Sequence, residues 1–142
     1  MNISSKGIDL IKHFEGCELN AYLCAAGVPT IGYGHIKDVK MGDVITQDEA
    51  ESMLVHELKE YENYIHELVA VPLDQNQFDA LVSWVFNLGA GNLAASTLLK
   101  VLNAGSYDEV PSQIMRWNKA GGKVLEGLTR RRQAEADLFS GN

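Results

Sequence analysis

The sequence is poor in cysteine and proline and lacks any long hydrophobic run. Its two cysteines, Cys17 and Cys24, are too few for a disulfide framework, and no further Cys or His spacing completes a zinc site. Apolar stretches such as residues 80–86 are far too short to cross a bilayer. The opening residues, MNISSKGIDLIKHFEG, contain neither a continuous apolar run nor a small-residue cleavage site. We therefore expect no bound metal, no signal peptide and no stable association with a membrane.

The composition is that of one folded domain, residues 1–142. Hydrophobic residues make up 46% of the chain, which allows a core to form without metal or disulfide. The net charge of −7 is uneven, because residues 111–142 are basic whereas residues 1–110 are strongly acidic. Most of the chain would repel phosphate groups, so nucleic acid is not an expected partner. The basic stretch 130–132 either forms a solvated helix face or faces an anionic ligand or an acidic catalytic group.

Periodicity predicts an α+β fold with a small N-terminal lobe, a long connecting helix and a helical C-terminal lobe. The first lobe, residues 1–46, combines a helix that ends at Glu15 with a Gly-rich stretch typical of a short antiparallel sheet. A capping signature at Thr46 begins the connecting helix, which we predict over residues 47–72. The helical lobe covers residues 73–142. Two lobes joined by a helix leave a cleft between them, a usual place for a ligand.

Four helices are predicted within the helical lobe. Turn and capping residues give their limits. The first begins at the Asp74-x-x-Gln77 signature, and the second covers residues 93–103. The third runs from Ser106-x-x-Glu109 to about Trp117, and the fourth runs from about Leu128 to Phe139, after a loop at Gly121-Gly122.

Glu15 is the first candidate for chemistry. Cleavage of a glycosidic bond requires a proton for the leaving oxygen and stabilisation or hydration of an oxocarbenium-like centre. Glu15 ends a mostly apolar helix, where the negative end of the helix dipole favours a carboxyl group that keeps its proton. A glutamate at a helix end is by itself more often a solvated surface group, so the surrounding pattern decides between the two interpretations.

A series of motifs in fixed order surrounds Glu15. Eight residues separate Glu15 from Cys24, and five separate Cys24 from Thr30. Further motifs follow in the order Ile31-Gly32-Tyr33-Gly34-His35, FNLGAG at 86–91, Ser96-Thr97, Arg116-Trp117 and GLTRRR at 127–132. This series resembles the phage lysozyme family, whose signature is Glu-x8-Asp-or-Cys-x5-Thr followed by a TIGYGH-like segment. The resemblance covers nearly the whole chain and implies a phage-lysozyme-like α+β fold.

The resemblance also implies a role for individual residues. Glu15 would be the general acid, Thr30 would help hold the attacking water, and Cys24 occupies the position more often filled by Asp. The family looks inverting, with the water entering opposite the leaving group. Arg131 would pair with Glu15, and Arg130 is the alternative. Two further expectations are that His35 is a structural anchor and that saccharide contacts come from Ile36, Phe86, Thr97 and Gln113, with plain core packing as the alternative for Phe86.

The cysteine at position 24 changes the expected chemistry. A thiol has an ordinary pKa of about 8.5, so Cys24 would activate water only if its neighbours favoured the thiolate. Cys17, two residues after Glu15, resembles a feature of the signal-anchor-release subset of phage lysozymes, in which such a cysteine cages the catalytic one. The resemblance therefore implies a regulatory disulfide between Cys17 and Cys24, and two independent thiols are the alternative.

The resemblance finally implies an endolysin. Such an enzyme is a muramidase that hydrolyses the β-1,4 bond between N-acetylmuramic acid and N-acetylglucosamine in bacterial peptidoglycan, for host cell lysis. A lytic transglycosylase acting on the same bond and a non-catalytic glycan-binding module are the alternatives. We expect a monomer that binds peptidoglycan glycan strands and needs no cofactor. Without a signal peptide, it would accumulate in the host cytosol and reach the periplasm through a holin lesion.

Overall fold

Helices make up most of residues 1–141, the part of the chain that the computed structural model describes. The N-terminal lobe contains helix α1 (Ser5–Glu15) and an antiparallel sheet of β1 (Glu18–Leu23) and β2 (Pro29–Gly32). The remaining elements are α2 (Gln47–Leu68), α3 (Gln75–Leu88), α4 (Ala90–Ala95), α5 (Thr97–Asn103), α6 (Val110–Met115), the hairpin of β3 (Lys119–Ala120) and β4 (Lys123–Val124), and α7 (Glu126–Phe139). The predicted α+β fold is confirmed. None of these helices is long and apolar enough to cross a membrane.

The core of the helical lobe is built around α3. Every residue from Phe78 to Val85 is buried, and α3 packs against α1, α2 and α7. Trp84 is fully buried and meets Trp117 edge-on, with 5.2 Å between the ring centroids. Because α3 contacts both α1 and α7, it sets the relative position of the two helices that carry Glu15 and Arg131.

The start of α1 is held by two buried carboxylates from other helices. The Ser4 N–H donates to Asp79 Oδ1 at 3.0 Å, and the Ser4 hydroxyl donates to Asp79 Oδ2. The Ile3 N–H donates to Glu62 Oε2 at 2.6 Å. Asp79 lies on α3 and Glu62 on α2, so tertiary contacts satisfy N–H groups at the start of the helix. The end of α1, which carries Glu15, is therefore positioned by the core.

The small sheet ends in a tight turn at Gly34. Tyr22 pairs with Thr30 across the two strands, and the register is irregular between Glu18 and Tyr22. After β2 the Ile31 N–H donates to the carbonyl of His35 at 2.9 Å, which closes the turn. Gly34 has a φ of +80°, a conformation that favours glycine. The turn leaves the backbone of Gly34 free to approach a neighbouring side chain closely.

The capping boxes at Thr46 and Asp74 are formed, whereas the Ser106 side chain makes no capping hydrogen bond. Thr46 Oγ1 accepts from the Glu49 N–H at 3.1 Å, and Asp74 Oδ1 accepts from the Gln77 N–H at 2.8 Å. In each box the side chain at the third helical position also accepts from the backbone N–H of the capping residue. These local signals therefore place the starts of α2 and α3 correctly.

The connecting helix is shorter than predicted, because it ends at Leu68 rather than near residue 72. Val69 is already extended, with ψ of 122°. The Asn103 side chain donates to the carbonyl of Leu68 at 3.0 Å and accepts from the Ala70 N–H at 2.7 Å. An amide from α5 thus satisfies the backbone groups that a further helical turn would have paired.

The helix predicted over 93–103 is divided in two, which corrects the sequence analysis. Ser96 is extended between α4 and α5, and its hydroxyl oxygen accepts from the Leu99 N–H at 3.0 Å. A serine in this position caps the second helix instead of continuing the first.

Two other predicted boundaries change further along the chain. The segment from Ser106 begins with a short 3-10 turn over Tyr107–Glu109, and α6 follows only over Val110–Met115. Gly121 and Gly122 both have positive φ and form the turn of the β3–β4 hairpin rather than an open loop. The last helix begins at Glu126, two residues before the predicted start.

Candidate active site

Glu15 lies between the turn at Gly34 and the helix α7. Arg131 Nη1 donates to Glu15 Oε2 at 2.7 Å, and the side chains are 5% and 20% exposed for Arg131 and Glu15, respectively. On the other side, a Cβ atom added to Gly34 would lie 3.2 Å from Glu15 Oε1. The carboxyl group is therefore held from one side by a cation and given space on the other by a glycine.

Arg131 is itself held by buried groups. Its Nε lies 3.3 Å from Glu135 Oε2, and its Nη2 donates to the carbonyl of Ser83 at 3.2 Å. The Ser83 hydroxyl donates to Glu135 Oε2 at 2.6 Å, and Arg132 Nε lies 2.7 Å from Glu135 Oε1. We call Glu15, Ser83, Arg131, Arg132 and Glu135 the buried charge cluster. It connects the end of α1 to α3 and α7.

Burial is the largest influence on the two innermost charges of this cluster. It raises the pKa of Glu135, and the positive charges of Arg132 and Arg131 oppose that rise. Burial lowers the pKa of the Arg132 guanidinium, and the negative charge of Glu135 opposes this decrease. The partners thus stabilise each other's charged forms in a region that water does not reach.

Cys24 and Thr30 are held together by the turn between β1 and β2. The Cys24 N–H donates to the carbonyl of Val28 at 3.0 Å, and the hydroxyl of the buried Thr30 donates to the same oxygen at 2.9 Å. Hydrogen bonds from the backbones of Val28 and Ala26 lower the pKa of the Cys24 thiol, and the Thr30 side chain contributes in the same direction. The turn therefore favours the thiolate of Cys24.

Two cavities meet at Glu15. The first has a volume of about 470 Å³ and is lined by residues of α2, α3 and the segment after β2, including Ile36, Glu60, Tyr61 and Phe86. Burial raises the pKa of the Tyr61 phenol, and the nearby carboxylates of Glu60, Glu57 and Glu15 raise it further. The second has a volume of about 560 Å³ and lies against α1 and the start of α7, including His13, Arg130 and Arg131.

The structure brings only half of the expected saccharide contacts to these cavities. Ile36 is more than half exposed and lines the first cavity together with Phe86, whose ring packs against Tyr61 at 5.0 Å between centroids. Thr97 is exposed at the start of α5, and Gln113 is half-buried on α6. Neither of these two residues lines either cavity.

His35 contacts α2 rather than Glu15. Its Nδ1 pairs with Glu57 Oε1, and both side chains are half-buried. Sequence reasoning named His35 as an anchor but did not identify Glu57, which lies on the polar side of α2. It also missed Ser83 and Glu135. The one signal for Glu135 was its spacing of four residues from Arg131, which places the two on the same face of a helix.

The two cysteines are free thiols, and Cys17 Sγ lies 3.7 Å from Gln47 Oε1. Cys17 and Cys24 flank the ends of β1, where Glu18 pairs with Gly32 and Leu23 pairs with Pro29. The three-residue step along β2 spans about 10 Å, and a disulfide requires Cα atoms within about 7 Å. The expected pairing is therefore absent from this conformation, because the paired strand holds the two cysteines apart.

Comparison with known proteins agrees with this geometry. The Phage lysozyme family model matches residues 12–135. The endolysin of Acyrthosiphon pisum secondary endosymbiont phage 1 is 48% identical over 98% of this chain and 98% of that protein. The endolysin of Bacillus phage B103 is 46% identical over 98% of this chain, which spans about half (54%) of that longer protein. The solved endolysin from Escherichia coli O157:H7 phage FAHEc1 is 41% identical with a TM-score of 0.91, covering 98% of this chain and 93% of that one.

Glu15 lies where the two cavities meet, and cleavage of a glycosidic bond requires a carboxyl group that can donate a proton to the leaving oxygen. The chain belongs to the phage lysozyme family. The predictions of the family, of the fold and of a glycoside hydrolase that lyses peptidoglycan are therefore confirmed.

Proposed function

We propose that the chain hydrolyses the β-1,4 bond between N-acetylmuramic acid and N-acetylglucosamine, with Glu15 as the general acid. The observation that carries this proposal is the position of Glu15, which lines both cavities. A glycan strand that occupied the two cavities would place a glycosidic oxygen beside the Glu15 carboxyl group. The side chain is one-fifth exposed, so a substrate can reach it while most of the residue stays packed.

In the reaction, Glu15 donates its proton to the glycosidic oxygen as the bond to the anomeric carbon breaks. The bonding electrons leave with that oxygen, which becomes a hydroxyl group. A water molecule adds to the anomeric carbon from the opposite face and loses a proton. Arg131 orients the Glu15 carboxyl group before the transfer and balances the negative charge of the carboxylate afterwards.

We assign the second proton transfer to Cys24. Its thiolate would accept the proton of the attacking water, and Thr30 would help hold that water. The backbone hydrogen bonds that lower the pKa of Cys24 support this role, because they increase the fraction of thiolate near neutral pH. Solvent then takes the proton from Cys24 and returns one to Glu15, which restores both groups.

The test is digestion of purified peptidoglycan under reducing conditions, followed by identification of the new glycan ends. The Glu15→Gln variant should fold and lose at least about 10³-fold in rate, because an amide keeps the shape but cannot donate the proton. Glu18→Gln is the matched control, since Glu18 is an exposed carboxylate on β1, and it should retain full activity. A Glu15→Gln variant that keeps more than about a tenth of the wild-type rate would remove Glu15 from the role of acid.

The same digestion separates the alternative reactions. Hydrolysis gives reducing N-acetylmuramic acid ends, whereas a lytic transglycosylase gives anhydro ends. Binding to peptidoglycan without any new ends would identify a glycan-binding module.

We also propose an oxidised, inactive form with a disulfide between Cys17 and Cys24, formed by exchange with an external disulfide compound that accepts the two electrons and two protons of the thiols. Because β1 separates the two cysteines, the disulfide would require β1 to leave β2, which carries Thr30. The sulfur of Cys24 would no longer be available as a base. Protein prepared without reductant should then contain no free thiols, be inactive and recover on reduction, while Cys17→Ser should be active throughout. The proposal would be wrong if the oxidised protein still has two free thiols, or if protein that has no free thiols is fully active.

For the cellular route, we propose a monomer that binds glycan strands, accumulates in the host cytosol and reaches the periplasm through a holin lesion. Expression with and without a holin, followed by fractionation and measurement of lysis, tests the route. Lysis without a holin would contradict it. Sedimentation of the purified protein tests the monomer.

A further inference from the structure

Within residues 1–141, the hydrogen bonds that Glu135 accepts come from donors of the buried charge cluster. Its side chain is 0% exposed. Four donor groups surround it. Ser83 Oγ at 2.6 Å, Arg132 Nη2 at 3.2 Å and Arg131 Nε at 3.3 Å hydrogen-bond to Oε2, and Arg132 Nε lies 2.7 Å from Oε1 as an ion pair without hydrogen-bond geometry. Three of these four donors belong to guanidinium groups, which do not lose their charge in proteins. The surroundings of Glu135 are therefore those of a negative charge.

The proposed reaction changes the charge of Glu15, and the negative charge of Glu135 would keep Arg131 paired throughout. A general acid carries its proton before the reaction and is a carboxylate after it. Arg131 is nearly buried, and an unpaired buried charge is costly. When Glu15 is protonated, Arg131 keeps a negative partner only through Glu135. When Glu15 is a carboxylate, the two glutamates balance Arg131 and Arg132.

We propose that Glu135, fixed by Ser83, is a positioning residue that serves as the second counter-ion of Arg131 and thereby sets the pH range in which Glu15 keeps its proton. This inference rests on the proposed role of Glu15 as the general acid. Among the described residues that line the two cavities, Arg131 is the one that hydrogen-bonds to Glu135, so the influence of Glu135 on the reaction would pass through that side chain.

The direction of the effect follows from the charges. Replacing Glu135 with glutamine leaves Glu15 as the only negative partner of Arg131, which favours the carboxylate of Glu15. Activity that needs a protonated Glu15 would then decrease at a lower pH than in the wild type. The Glu135→Gln substitution leaves the other titratable groups around Glu15 in place. These groups are His13 on α1, His56, Glu57, Glu60 and Tyr61 on α2, His35 and Lys37 after β2, and Arg130 and Arg132 on α7.

The experiment is a pH profile of kcat and KM on soluble peptidoglycan fragments. For Glu135→Gln, we expect the alkaline side of the kcat profile to move down by about one pH unit, with a smaller change in KM. Glu135→Asp should restore most of the profile. Asp79→Asn is the matched control, because Asp79 is an equally buried carboxylate that caps α1 and does not contact Arg131. It should lower stability without moving the profile.

A second pair of variants keeps the proposal testable if Glu135→Gln does not fold. Arg132→Met removes one positive charge and should move the alkaline side to higher pH. Adding Glu135→Gln to Arg132→Met restores the charge of the cluster, so it should move the profile back by a similar amount. An unchanged profile in a folded variant without the Glu135 charge, or an equal shift in Asp79→Asn, would overturn the proposal.

Measuring Glu15→Gln in parallel distinguishes a wrong role for Glu135 from a wrong assignment of Glu15 as the general acid. If Glu15→Gln remains active, the assignment of the acid is wrong. If it is inactive while the loss of Glu135 leaves the profile unchanged, only the role of Glu135 is wrong.

Discussion

The two sides of the site are held in different ways. Glu15 depends on contacts between residues far apart in the chain, since it pairs with Arg131 across 116 positions and Arg131 in turn contacts buried groups on α3 and α7. Cys24 and Thr30 depend on one turn, in which a single carbonyl, that of Val28, accepts from both residues. The surroundings of Glu15, the proposed acid side, are therefore part of the core, whereas Cys24 and Thr30, the proposed water side, are arranged by one local turn.

This difference determines what each side tolerates. A change in the buried charge cluster alters stability and activity together, because the same contacts serve both. A change in the turn between β1 and β2 alters few contacts outside it. The resemblance to the family implies Asp at position 24 more often than Cys, and the backbone donors of the turn could serve either side chain.

The largest effect is expected from breaking the buried side. Arg131→Met should cost about 3 kcal/mol in the free energy of unfolding, because it leaves Glu135 with fewer partners and Glu15 without its cation. Activity should decrease by more than about 10²-fold. Arg130→Met is the matched control, since Arg130 is exposed and pairs with exposed Glu126, and it should change stability by less than about 1 kcal/mol. Denaturant unfolding measures the stability of each variant, and lysis assays measure its activity. Equal losses in Arg131→Met and Arg130→Met would contradict the prediction that the buried arginine matters more.

Changes at Cys24 should reduce activity with little loss of stability. Cys24→Ala should lose about 10²-fold in rate, because it removes the base, whereas Cys24→Asp should keep or raise the rate. Both variants should unfold at nearly the wild-type denaturant concentration. If the alanine and aspartate variants are equally active, position 24 has no chemical role.

A smaller effect is expected beside Glu15, at Gly34. Gly34→Ala would place a Cβ atom 3.2 Å from Glu15 Oε1 and should reduce the rate about tenfold by displacing the carboxyl group. Gly42→Ala is the matched control, because Gly42 has a φ of +99° but nothing within 4 Å of an added Cβ. Both variants bear the strain of a positive φ, and only the first should lose activity beyond its loss of stability. Equal rates in the two variants would show that the space beside Glu15 is not needed.

The smallest expected change concerns the low-pH limb of the activity profile. Cys24 must lose its proton to act as a base, so activity should rise with pH through the lowered pKa of the thiol. Aspartate has an ordinary pKa of about 3.9, well below that of a thiol. Cys24→Asp should therefore stay active at lower pH than the wild type, which lysis rates over roughly pH 4 to 9 will measure. If the wild type and Cys24→Asp lose activity at the same low pH, another group controls this part of the profile.

Sequence reasoning succeeded where the determinants are local. The end of α1 at Glu15 and the capping boxes at Thr46 and Asp74 depend on residues within one turn of each other. It was wrong at the end of α2, where Asn103 of α5 supplies the partner, and at Ser96, where a local cap was not identified.

The candidate site divides in the same way. The segment from Glu15 to His35 was recognised as one motif, and the pairing of Arg131 with Glu15 was named from the resemblance. Ser83 and Glu135 are ordinary polar residues in the sequence and gain importance only through burial against Arg131. Thr97 and Gln113 were carried over from a family pattern, and no local signal could tell that both lie away from the two cavities.

The long separation between Glu15 and Arg131 also has a consequence during translation. At roughly 5–20 residues per second, Arg131 is added about 6 to 23 seconds after Glu15. During that interval the nascent chain carries the acid, Cys24 and Thr30 but not the cation that orients the acid. The chain on the ribosome therefore lacks the Glu15–Arg131 pair until α7 emerges, and a chain released early would contain Cys24 and Thr30 but no arginine to orient the proposed proton donor.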